Sequence, residues 1–215
     1  MIVLAVLGKS IKSVVGQNMD KFTIISPEVR KYVYSLRKYI LFSTVFYLFL
    51  VILGYFFAGE HLGETEEIVS LLKDSYLPIM EMGKLSQFLF VLIKNSLTAL
   101  AVVLGGFLFG IVPFLALIYN GEILGILANY TINRAGTSFF LLGIVPHGIF
   151  EIPALIISIA MGLKIGRISV KKVLRKEEVS IVKEIKIAFG VFLRIVLVLL
   201  FISAFIEILI TPELL

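Results

Sequence analysis

The sequence predicts an all-α membrane fold of about five transmembrane helices, one of them broken or re-entrant, with short amphipathic helices at the membrane surface. Three observations carry this expectation. Of 215 residues, 59% are hydrophobic and 16% charged, where soluble domains are nearer half and a quarter. The mean hydropathy is +1.04, and the apolar residues fall in blocks able to cross ~30 Å of hydrocarbon as helix. The charges are also partitioned, with two basic segments on either side of an acidic one.

Residues 1–38 form a basic segment with seven Lys or Arg against two acids. Met1–Leu7 is apolar over too short a run for a signal peptide and reads as mature sequence. Ser26-Pro27-Glu28 is a helix start: a capping hydroxyl, a proline for the first turn and an acid at the positive dipole end. The helix that follows presents Val29, Tyr32, Val33 and Leu36 beside Arg and Lys, which suits an interfacial position. Residues 39–215 make up the polytopic domain, whose first span is 39–58. The loop 59–84 carries six acids against two lysines. Within it, Thr65 followed by Glu66 and Glu67 starts a helix to Leu77, either interfacial or part of an extramembrane hairpin.

The second span is 96–119, kinked at Pro113, and Asn120-Gly121-Glu122 ends it. The stretch 121–146 is apolar at both ends but interrupted by Asn129, Asn133, Arg134 and Gly136. It either crosses as a broken helix or dips in and returns, which would leave Pro146-His147 near mid-membrane. The fourth block, 147–165, runs into a loop with eight Lys or Arg against three Glu, and the last span is 195–210. Basic segments stay in the cytoplasm, so the chain is expected in the plasma membrane with its N-terminus inside and its C-terminus outside.

The chemistry-bearing residues are few. The chain has no cysteine and two histidines, which excludes disulfides, thiol nucleophiles and Cys- or His-rich metal sites. No phosphate-cradling loop or helical HExxH is present. The basic residues adjoin apolar blocks, so the positive charge points to membrane anchoring and not to nucleic acid. His147 and Glu151 are four apart and share a helix face, which continues through Ala154, Ser158, Gly162 and Gly166. Such small residues admit a neighbouring helix, so the imidazole and carboxylate face protein and not lipid. They form a structural pair or a site for a proton or ligand. As metal ligands they are weak candidates, because zinc requires a third protein donor. Arg134 needs a carboxylate or water in the crossing arrangement, with Glu151 or Glu207 the candidate partner, and is simply solvated in the re-entrant one. Glu122 completes the polar intramembrane set. Gly106 and Gly110 form a further packing pair, as do Gly121 and Gly125. Arg194 and Lys94 are expected to snorkel from span ends.

These residues carry a resemblance. Asn120-Gly121, Gly125, the run Pro146-His147-Gly148-Ile149-Phe150-Glu151-Ile152-Pro153-Ala154, and Gly162 resemble the stage II sporulation protein M family. Asn95, Gly105, Gly106 and Gly110 fit its second-span pattern, and the similarity runs from about Ser26 onward. The resemblance implies five spans with the His147–Glu151 face as the family's mark. Spore-forming members act as membrane scaffolds for a wall-degrading complex, and the family extends to organisms that form no spores. It brings no established reaction. The function expected is accordingly a non-catalytic scaffold or assembly component. A transporter with a polar site around His147 and Glu151 is the alternative, and an intramembrane metal-dependent hydrolase the third. The expected partners are the lipid bilayer and other membrane proteins or further copies of itself in a homo-oligomer, and no cofactor is expected.

Overall fold

The computed structural model describes residues 27–174 and 180–214, and every regular element among them is helical. Helix α1 (Pro27–Ser35) starts on a proline, whose fixed φ suits a first helical residue and whose absent N–H is not needed there. Ser26 lies outside the described residues, as do Lys9, Lys12 and Lys21. α2 (Arg37–Glu60) is followed by α3 (Leu62–Met80), α4 (Lys84–Gly105), α5 (Ile111–Ala135) and α6 (Thr137–Val173). α7 (Ile181–Val191), capped by the Ser180 hydroxyl, continues through a π-helical stretch (Phe192–Val196) into α8 (Leu197–Leu209). Five helices are long and apolar enough to cross a membrane: α2, α4, α5, α6 and the run from Ile181 to Glu213.

Five spans are therefore present, but three begin and end elsewhere than expected. No helix runs through 96–119. α4 begins at Lys84 and stops at Gly105, and α5 begins at Ile111. Gly105-Gly106 and Gly110 supply the turn, with Phe109 and Gly110 at φ 56° and 81°. Pro113 therefore sits in the first turn of α5 and kinks nothing. The break expected within 121–146 lies at Gly136, φ 92°, between α5 and α6. Asn120-Gly121-Glu122 consequently lies mid-helix. α6 carries Pro146 and Pro153 inside one 37-residue helix. At 1.5 Å per residue it is ~55 Å long, far more than the hydrocarbon core requires. α3 starts three residues before Thr65, whose hydroxyl donates to the Ala58 carbonyl instead of capping.

Two glycine seams bring the spans together. Gly106 meets Gly162, and a Cβ on Gly106 would fall 2.7 Å from the Gly162 Cα. One turn further, Gly110 faces Gly166, where an added Cβ on Gly166 would lie 2.5 Å from the Gly110 Cα. On the other side of α5, Gly121 and Gly125 receive α2 near Leu50 and Gly54. In lipid there is little hydrophobic gain from helix contact, so such close backbone approach supplies the attraction by dispersion. Ala154 and Ser158 are fully buried on the same stripe of α6, and the Ser158 hydroxyl returns to the Ala154 carbonyl. Leu36, Val103, Met161, Ile165, Val191 and Val196 fill the core beside it. By contrast α2 exposes Leu41, Val45, Leu48, Ile52 and Phe56 along its free face, as a lipid-facing helix does.

The bundle has a basic and an acidic end. At the basic end lie α1 and the last turns of α6. At the acidic end α3 packs against α2, α4 and α5, held by Arg134–Glu66, by Lys73 over the Tyr130 ring and by Lys94 over Tyr76. It exposes Leu62, Leu71, Leu77 and Met80, which suits a surface position against lipid headgroups.

Candidate functional site

His147 and Glu151 stand one turn apart on α6, between Pro146 and Pro153. Each proline lacks an N–H, so the carbonyls of Leu142 and Ile149 lose their helical donors, and the helix is locally more compliant around the site. Ten residues from the start of α6 place His147 ~15 Å along it. α8 lies alongside and contributes Glu207 from near its end. The ligand atoms of His147, Glu151 and Glu207 all lie within 4.8 Å of one another, and the three residues are half-buried. Two neighbours orient the group. Asn95 Nδ2 of α4 donates to Glu151 Oε1 at 3.3 Å, and the buried Ser203 hydroxyl of α8 donates to the His147 carbonyl at 3.2 Å. The Lys94 ammonium lies close enough to act on both carboxylates, and Tyr47 of α2 lies near Glu151. Among the described residues, His147 Nδ1 is buried without a hydrogen-bond partner.

Such a group can hold a proton shared among three basic atoms, or a divalent cation. Ligands on one ion at ~2.0–2.2 Å sit roughly 3–3.5 Å apart, so the observed spread would need only small side-chain rotations to close. One imidazole and two carboxylates make up a three-donor set for zinc or manganese, and the Asn95 amide, which turns Nδ2 to Glu151, would have to flip to offer its oxygen as a fourth.

Of the five polar candidates, His147, Glu151 and Glu207 come together and two do not. Glu122 lies half-buried in the middle of α5, away from the helix end expected for it. Arg134 is in the last turn of α5 at the acidic end, paired with Glu66 and stacked on Tyr130 at 4.4 Å. Its expected partners Glu151 and Glu207 are correspondingly not used. The shifted boundaries explain both displacements. Lys94 is likewise mid-helix and not at a span end, and Arg194 falls within the π-helical stretch. Lys94 and Asn95 are thus site residues that the sequence reading missed as such. A polar pair inside the apolar run 84–105 is the signal that marks them.

The chain matches the family profile described as stage II sporulation protein M over residues 43–212. A protein of Methanocaldococcus jannaschii, described as uncharacterized, is 30% identical over 167 residues, covering 77% of this chain and 92% of its own length. No solved structure matches.

Proposed function

This chain belongs to the stage II sporulation protein M family, and from that premise we propose a multi-pass membrane protein of permease type that takes a cation at the His147–Glu151–Glu207 cluster. The observation behind this reading is the convergence of one imidazole and two carboxylates from two spans. Ionisable groups inside a membrane are costly and are retained where an ion or proton must pause. The two prolines around the cluster support the same reading, since a span that carries a solute has to yield locally.

The reading is tested in proteoliposomes, with proton and Mn²⁺ entry followed by dyes. The parent should conduct, and folded Glu151→Gln should not, because an amide neither exchanges a proton nor ligates a metal as a carboxylate does. A parent without either flux, together with a Glu151→Gln variant that restores a deletion strain fully, would overturn it. That outcome would favour a scaffold that assembles with itself or other membrane proteins. The glycine seams support this second reading, because they tie α4, α5 and α6 into a rigid unit. A metal lost on His147→Ala but carried across no membrane would point to a hydrolase.

The orientation proposed has the basic end in the cytoplasm. Because the chain has no cysteine, single cysteines give a clean assay. Cysteine placed at Glu66 should react with an impermeant maleimide in intact cells, and cysteine at Lys172 should react only after lysis. The reverse pattern would invert the topology.

A further inference from the structure

At the basic end, away from the His147 cluster, α2 and α6 diverge around a cleft of about 540 Å³ lined by Ser35, Lys38, Tyr39, Phe42, Leu163, Lys164 and Arg167. Its two walls repeat one pattern. On α2, Lys38 and Tyr39 stand one turn nearer the bundle end than Phe42. On α6, Arg167 stands one turn nearer the end than Leu163. The cleft thus has a cationic rim and an apolar throat that opens toward the hydrocarbon, where Phe42 is 49% exposed.

We propose that this cleft binds the phosphate headgroup of an anionic membrane lipid, with an acyl chain lying along Phe42 and Leu163. Basic pockets between spans are suited to such headgroups. The charge balance fits. Lys164 is 2.7 Å from Glu184, both largely buried, and donates to Ser35 Oγ at 2.8 Å. It therefore stiffens the back wall, with the Tyr32 ring 4.0 Å beneath it. Burial, reinforced by the Glu184 carboxylate, pushes the Tyr32 hydroxyl above its ordinary value, so no tyrosinate forms there to repel an anion. Lys38 is exposed on the rim. Arg167 Nη1 donates to the Tyr39 hydroxyl at 3.3 Å, which sets the guanidinium on the rim, and its five-donor fork can share a phosphate with the acceptors it already has. Accepting from Arg167 leaves the Tyr39 hydroxyl its own proton to donate to a phosphate oxygen. A free phosphate would use the rim alone, whereas a lipid uses the rim and the throat together.

The test follows the thermal midpoint of the full-length protein in neutral detergent during titration with dioctanoyl-phosphatidylglycerol, dioctanoyl-phosphatidylcholine or inorganic phosphate. Phosphatidylglycerol should raise the midpoint saturably, and the other two should leave it unchanged. Lys38→Gln with Arg167→Gln should weaken that apparent affinity at least tenfold. Lys31→Gln with Lys172→Gln, which removes equal charge from exposed positions outside the cleft, should not. Tyr39→Phe, a mild surface change that keeps the fold, should weaken it severalfold and serves if the double variant does not fold. Equal loss in both double variants, equal response to phosphatidylcholine, a response to inorganic phosphate, or no response at all would each overturn the proposal.

Discussion

Gly162→Leu is expected to lose about 3 kcal/mol of stability, the upper end of what overpacking costs. The cause is geometric. Even the first atom of a side chain there would lie 2.6 Å from the Val102 carbonyl oxygen and 2.9 Å from Pro113 Cβ. Neither is the flexible end of a side chain, so α6 would have to withdraw from both α4 and α5. Withdrawal would open the Gly106 and Gly110 contacts as well, because they lie on the same seam. Ile149→Leu on the same helix, at a position 61% exposed, should stay within about 0.5 kcal/mol of the parent. Unfolding in mixed detergent measures both. Parity of Gly162→Leu with the parent would mean the seam is not closed.

The second large effect concerns the cluster. If it takes a divalent cation, Mn²⁺ or Zn²⁺ at a hundred times its dissociation constant should stabilise the protein by about 2.7 kcal/mol, by mass action on the folded state. Glu151→Gln and Glu207→Gln should each abolish most of that increment, since each removes one of two anionic donors. Asn95→Leu should reduce it less, because it removes only the hydrogen bond that orients Glu151 and no anionic donor. The increment should also fade as pH falls, because ligand atoms must be deprotonated to bind. A parent whose stability ignores both metals, and which carries none after purification from supplemented medium, would restrict the cluster to protons.

The spans were legible because their apolar blocks are longer than a soluble helix needs. Their ends were not, and the reason is local. The turn at 105–110 is written Gly-Gly-Phe-Leu-Phe-Gly, which is apolar throughout. Hydropathy passes straight over a turn encoded by glycine's conformational freedom and not by polarity. Read as one continuous span, the segment pushed the starts of the next two spans from 111 and 137 to 121 and 147. Conversely, two of the polar residues that made 121–146 look broken interrupt nothing, since Asn133 Nδ2 donates to Asn129 Oδ1 at 3.0 Å within α5, and the break itself lies at Gly136. In the site, His147 and Glu151 were visible because helical spacing joins them. Glu207 was visible only as an isolated acid, since 56 residues separate it from Glu151 and nothing but packing of α8 on α6 unites them. Lys94 and Asn95 were obscured by the boundary error itself.

Lys94 joins two parts of the molecule that have so far stood apart. Its ammonium acts on Glu151 and Glu207, and it is also held by the Tyr76 hydroxyl and ring on α3. If the cluster takes a cation, its arrival among the carboxylates would repel the ammonium and drive it toward Tyr76. An ammonium engaged by Tyr76 is in turn less available to compete for the carboxylates. Seating of α3 and occupancy of the cluster would then be thermodynamically linked, and the factor by which one favours the other would be the same in both directions. The surface helix then reports on the site: its protection from proteolysis should rise with ion concentration, and Tyr76→Phe, which removes only a hydroxyl, should weaken that dependence.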